Sequence, residues 1–140
     1  MTVMTWKRDG KQETGAVAVE FALVLPILIL LVFGAVEFGL ALYNKEVITN
    51  ASHEGARAGI RIGDPRPSAT QITNVVKNYL TNAGWDATKA TITVTGAQGA
   101  SGSNLTVNIT YPYSFQVLPN FIKNFSKTIS LSAQTVMQQE

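Results

Sequence analysis

The chain has 140 residues, no Cys, a single His and a formal net charge of +2 from 11 basic and 9 acidic side chains. A chain of this length is expected to build one small core. The absence of Cys excludes disulfide bonds, thiolate metal sites and thiol nucleophiles. The small net charge argues against a nucleic-acid partner. His53 is the single histidine, so a metal site with several His ligands is excluded. No metal, cofactor or small-molecule substrate is therefore predicted.

The main feature of the sequence is an apolar run over residues 16–43, which is 28 residues long and holds only Glu20 and Glu37 as charged groups. A helix rises about 1.5 Å per residue, so about 20 residues cross a hydrocarbon core of roughly 30 Å. The run therefore predicts a transmembrane helix. A buried helix of a soluble protein is the alternative, and the length of the run argues against it.

The charges on either side of this run predict its orientation. Basic residues precede it, whereas Lys45 and Glu46 balance each other after it. The positive-inside rule then predicts a cytoplasmic N-terminus and an exported C-terminal part. The basic residues before the run are Lys7, Arg8 and Lys11.

A small-residue junction, Gly15-Ala16, lies before the apolar run, whereas a secretory signal carries its cleavage site after the apolar region. Cleavage there would leave the helix attached to the product. Glu20 would then need a partner or water, because an unpaired carboxylate in a membrane is costly. Two interactions are possible for the carboxylate of Glu20: an ion pair with the new amino group of Ala16, or hydration near the headgroups. Glu37, near the other interface, is expected to be hydrated or to pair with another subunit.

These residues resemble a known pattern. Gly15, the following AVAV, Glu20 and Phe21 resemble the class III leader of type IV pilins and pseudopilins. Over residues 15–62 the chain is more closely similar to the TadE family of the tight-adherence (Flp) pilus system. The further residues that carry this similarity are Leu25 and Pro26 in the apolar run, then Ala51, Glu54, Gly55, Ala56 and Arg57.

The resemblance implies a pseudopilin or minor-pilin-like subunit of a Flp pilus or of its assembly machinery, without enzymatic activity. It implies a prepilin peptidase as a partner, with cleavage between Gly15 and Ala16, and a role for Glu20 and Phe21 in leader recognition and subunit register. Other pilins and the assembly platform are the remaining implied partners. The implied location is the bacterial cytoplasmic membrane, and the pilus itself is a second possible location. The alternative is a stationary single-pass membrane protein whose exported domain binds a partner or ligand.

The long helix is expected to continue beyond the membrane as an extension over residues 44–62. Pro26 predicts a kink, because it lacks an N–H donor. Small residues recur every four positions at Ala51, Gly55 and Gly59, and this row is predicted to pack against the C-terminal domain or another subunit. Glu54 and Arg57 form either a solvated ion pair or a subunit contact.

The predicted organisation begins with a cytoplasmic leader over residues 1–15, which is followed by the membrane helix and its extension. Residues 63–140 are then predicted to form a small exported domain. Ser68 and Gln71 have the spacing of a capping box, which starts a second helix. Three or four segments with alternating apolar residues follow and predict an antiparallel sheet, so the fold class is α+β. Phe121 and Phe125 are expected in the core or at its rim.

Overall fold

The computed structural model describes residues 10–63, 65–116 and 128–140, with side chains from residue 15 onward. The expectations for Lys7, Arg8, Phe121 and Phe125 lie outside the described residues, as does most of the leader.

Helix α1, Gly10–Gly59, is a single helix of 50 residues. At about 1.5 Å per residue it is roughly 75 Å long. It ends three residues before the predicted limit at Ile62, and Ile60 begins a turn. Arg61 and Ile62 are exposed, so tertiary packing, from which helices in proteins gain most of their stability, no longer supports the helix at this point.

Helix α2, Ala69–Asn82, begins with the predicted capping box. The Gln71 backbone N–H donates to the Ser68 hydroxyl at 3.3 Å, and the Ser68 N–H donates to the Gln71 side chain at 2.8 Å. These bonds satisfy two N–H groups that a helix start otherwise leaves without partners. The buried face of α2 consists of Ile72, Val76 and Leu80.

Three antiparallel strands form one sheet in the order β1-β2-β3. They are β1 Thr91–Thr95, β2 Asn104–Ser114 and β3 Thr128–Gln138. The register pairs Ile92 with Ile109 and Tyr113 with Ile129. The predicted α+β class is therefore confirmed, with three strands among the described residues.

Both helices lie on one face of the sheet and bury its apolar side chains. Helix α1 packs against α2, β2 and β3, while α2 also packs against β1. We call this unit, from Glu37 on α1 to the end of β3, the folded domain. Its core consists of Val47, Ile48, Ala51, Ala56, Ile72, Val76, Leu80, Leu105, Val107, Ile109 and Ala133.

Candidate functional site

The first half of α1 projects away from the folded domain. Most side chains between residues 15 and 36 are exposed, among them Phe21 at 60% and Leu31 at 66%. Glu20 is exposed as well, and nothing lies within 4 Å of the position that a Cβ of Gly15 would occupy. The predicted cleavage junction and leader-recognition residues therefore lie on an accessible helix.

Helix α1 continues through Pro26. A proline at this position removes the hydrogen bond to the carbonyl of Ala22 and pushes against the preceding turn. The kink at Pro26 stays a prediction.

Glu37 lies where the exposed half of α1 meets the sheet, and only 1% of its surface is accessible. Its Oε1 accepts a hydrogen bond from the Tyr113 hydroxyl at 2.6 Å and another from the Gln116 backbone N–H at 3.0 Å. The expectation of a hydrated or intermolecularly paired Glu37 is therefore wrong. The end of β2 turns back onto α1 and supplies partners from within the same chain.

This contact fixes the sheet to α1 close to the apolar half of the helix. Hydrogen bonds to charged groups contribute roughly 1.5–3 kcal/mol each, more than neutral ones. Because Glu37 is enclosed by the end of β2, its carboxylate does not interrupt the exposed apolar surface that precedes it. The Glu37 carboxylate, which is unfavourable as an isolated charge in an apolar run, thus attaches the folded domain to α1.

The same contact changes the acidity of Tyr113. Burial, followed by the hydrogen bond to Glu37 and the charge of its carboxylate, raises the pKa of Tyr113 from 10.0 to about 12. Each of these causes favours the neutral phenol, because a phenolate would be buried beside a negative charge.

We expect the folded domain to lose stability as the pH rises from about 10 to about 12, because the native state holds the Tyr113 proton more tightly than the unfolded chain does. The contribution is complete below the unfolded pKa and is lost as the pH passes through the folded pKa. Urea unfolding of the full chain in detergent, repeated across this pH range, measures it.

The comparison with Tyr113→Phe separates the effect of the Tyr113 hydroxyl from every other effect of high pH on the chain. The phenylalanine variant should be less stable near neutral pH and should show a weaker loss between pH 10 and 12. Glu37→Gln should lower the tyrosine pKa only part of the way, since burial remains the largest cause. Parallel stability curves for the wild type and Tyr113→Phe would contradict the assignment.

The small residues of α1 lie where the helix contacts the core most closely. A Cβ on Gly55 would come within 2.5 Å of Val76 Cγ2. A Cβ on Gly59 would come within 2.4 Å of Leu105 Cδ2 and 2.7 Å of Ile72 Cδ1. Ala51 is fully buried in the same row. The structure therefore places this row against α2 and β2 of the same chain.

Glu54 and Arg57 form an ion pair on the outer face of α1, with Arg57 Nη2 3.1 Å from Glu54 Oε1. The side chain of Arg57 is largely exposed, at 73%, and that of Glu54 is partly exposed, at 41%. Such a pair contributes little to stability in water. Ala58 and Arg61 lie beside it and complete a shallow depression on this face.

A larger open cleft lies beside β2, near Trp85 and Tyr111, whose ring centroids are 4.5 Å apart. Asp86 lines it, and its carboxylate accepts hydrogen bonds from the Thr88 N–H at 3.1 Å and hydroxyl at 2.6 Å. These bonds lower the pKa of Asp86 and occupy the carboxylate in a local turn. Within the described residues, no three His, Cys, Asp or Glu side chains come together in a metal-binding group.

The sequence itself singles out Glu37, because it is one of only two charged residues in the apolar run. Its partners could not be read in the same way, because Tyr113 lies 76 positions further along the chain. The hydrogen bond from Lys45 to the Ser132 carbonyl, which holds α1 to β3, was missed for the same reason.

The comparisons with known proteins agree with the resemblance. Residues 15–57 match the family model described as TadE-like protein, which confirms the similarity to that family. No curated protein and no solved structure is significantly similar to the chain. Within the part of the chain that the structure describes, one helix is long and apolar enough to cross a membrane. Together, these findings indicate a membrane-anchored, single-pass protein related to the Tad pilus.

Proposed function

We propose that this chain, which carries a TadE-like domain over residues 15–57, is a pseudopilin or minor-pilin-like subunit of a Flp pilus or of its assembly machinery. The N-terminus lies in the cytoplasm and the folded domain is exported. A prepilin peptidase cuts between Gly15 and Ala16, and α1 then anchors the mature chain until it is recruited by other pilins or by the assembly platform. The role is contact between subunits, without catalysis.

The observation that carries this proposal is the division of α1 into two halves with different surroundings. Residues 15–36 expose most of their apolar side chains, whereas the helix from Glu37 to Gly59 packs against the sheet and α2. An exposed apolar helix is stable in lipid or among other apolar helices, because both keep its surface out of water. One continuous helix can therefore serve as an anchor first and as a packing element afterwards.

Glu20 and the ion pair of Glu54 and Arg57 are suited to contacts with neighbouring subunits. Glu20 lies four residues after Ala16, about one helical turn from the amino group that cleavage would create. A carboxylate in an apolar helix bundle is favoured where it meets such a cation. At the other end of α1, the exposed pair Glu54 and Arg57 can exchange partners with a neighbouring subunit.

The experiment that tests the proposal is intact-mass measurement and N-terminal sequencing of the native protein from membranes and from sheared filaments. We expect a mature chain that begins at Ala16. Its presence in sheared filaments would identify a filament subunit, and its restriction to membranes would identify an assembly factor.

An uncleaved chain that stays in the membrane fraction would contradict the proposal. That result would favour a stationary single-pass membrane protein whose exported domain binds a partner or ligand.

A further inference from the structure

An apolar groove runs along the junction between the two halves of α1 and the neighbouring end of the sheet. We call it the junction groove, and its volume is about 430 Å³. Three of its side chains are well exposed, namely Phe38 at 65%, Leu42 at 53% and Ile129 at 38%. Its apolar walls include Gly34, Phe38 and Leu42 on α1, Phe115 just after β2, and Ile129 and Leu131 on β3.

We propose that the junction groove is a lipid-contact surface, which receives phospholipid from the leaflet on the side of the folded domain. The end of the sheet is then seated in the interfacial layer of the membrane instead of lying above it. This inference rests on the membrane anchorage proposed above and adds which surface of the domain meets the bilayer.

The depth of the groove along α1 supports this assignment. Counted from Ala16, a hydrocarbon core of roughly 30 Å takes up about 20 residues and ends near Ala35. The lower end of the groove, at Gly34, is therefore level with the edge of the hydrocarbon. Leu42 lies eight residues higher, about 12 Å, which reaches through the headgroup layer. The groove thus spans the layer where acyl chains meet headgroups.

The groove is also continuous with the part of α1 that lipid surrounds. Leu30 and Leu31, one turn below Gly34, are exposed at 44% and 66%. Glu37 also lines the groove, but only 1% of its surface is accessible and its carboxylate is hydrogen-bonded to Tyr113 and Gln116. Lipid packed against this turn can therefore extend into the groove without meeting an exposed charge. In water, the same exposed apolar surface would be unfavourable.

The residues at the upper end of the groove suit the headgroup layer. Tyr43, which follows Leu42 on α1 but does not line the groove, is 60% exposed, and tyrosine is enriched where membranes meet water. Lys45 lines this end of the groove and is exposed. Its ammonium donates to the Ser132 carbonyl. An ammonium has three donors, and a cation at this level attracts the phosphate of a phospholipid.

Site-directed spin labelling of the full chain in liposomes of phosphatidylethanolamine and phosphatidylglycerol tests the proposal. The chain has no Cys, so Leu42→Cys and Ile129→Cys introduce single labelling sites without other changes. Leu28→Cys provides a reference label within the membrane span, and Gln134→Cys, exposed on β3, provides a reference label in water. Collisions with oxygen, which concentrates in lipid, are compared with collisions with a water-soluble nickel complex.

We expect the label at Leu28 to collide mainly with oxygen and the label at Gln134 mainly with nickel, whereas the labels at Leu42 and Ile129, in the headgroup layer, should collide with oxygen more often and with nickel less often than the label at Gln134 does. Phe38→Cys provides a second site on the helix wall if either groove variant fails to fold. Groove labels that behave like Gln134, or that exclude both reagents because protein covers them, would overturn the lipid assignment while Leu28 still reports lipid. A label at Leu28 that collides mainly with nickel would instead refute the membrane anchor itself.

Discussion

Gly15→Asp is expected to leave the chain uncut, so that the protein accumulates in the membrane at its full mass and is missing from sheared filaments. The junction resembles that of prepilin leaders, which have a glycine before the cut. A prepilin peptidase of the aspartate class would meet an added carboxylate near its own carboxylates, and like charges in one site are unfavourable. Intact mass of membrane and filament fractions measures the result.

Glu20→Ala is the matched variant for this experiment, because it removes a carboxylate from the same exposed part of α1. We expect cleavage to stay largely intact and assembly to be impaired, since Glu20 is proposed to set the register between subunits. Normal assembly of Glu20→Ala would remove that role, and efficient cleavage of Gly15→Asp would remove the leader assignment.

Gly55→Val is expected to cost the folded domain about 3 kcal/mol or more, because the new side chain must displace a rigid neighbour. The position of its Cβ lies 2.5 Å from Val76 Cγ2 and 3.5 Å from Val107 Cγ1. Valine side chains have few rotamers in a helix, so Val76 cannot turn aside without moving α2. Guanidinium unfolding in detergent, followed by the fluorescence of the half-buried Trp85, measures the loss.

Alanine variants separate packing from the general cost of glycine in a helix, where alanine is favoured by roughly 1 kcal/mol. Gly55→Ala should still destabilise the domain, whereas Gly39→Ala should not, because nothing lies within 4 Å of its Cβ position. The loss of stability in Gly59→Ala should be intermediate between those of the other two variants, since the ends of the Leu105 and Ile72 side chains can rotate away. Equal stability of Gly55→Ala and Gly39→Ala would show that α1 does not pack on α2 through this row.

The buried Glu37 links the membrane anchor directly to the folded domain. The Tyr113 hydroxyl and the Gln116 N–H hold the end of the sheet against α1, at the level where we place the membrane surface. Any tilt or displacement of the anchor is therefore passed to the sheet through a buried contact and not through a flexible linker. A subunit built in this way can carry its domain rigidly when it moves from lipid to a filament.

The sequence alone determined the elements whose signals are local. The apolar run predicted the long helix, Ser68 and Gln71 predicted the start of α2, and the alternation of apolar residues predicted the strands, because each pattern follows from the geometry of a single element. The TadE-like segment was readable for a similar reason, since its motif residues lie close together between residues 15 and 57.

Only the tertiary structure decided how the helix and the sheet meet. The partners of Glu37 and Lys45 lie 76 to 87 positions away along the chain, and neither Tyr113 nor Ser132 carries a local mark of that pairing. The junction groove likewise needs residues of α1, of β3 and of the segment just after β2 together. Such contacts depend on how the elements pack against one another, and packing is governed by the shape and burial of side chains from several elements. The periodicity within a single element therefore cannot predict them.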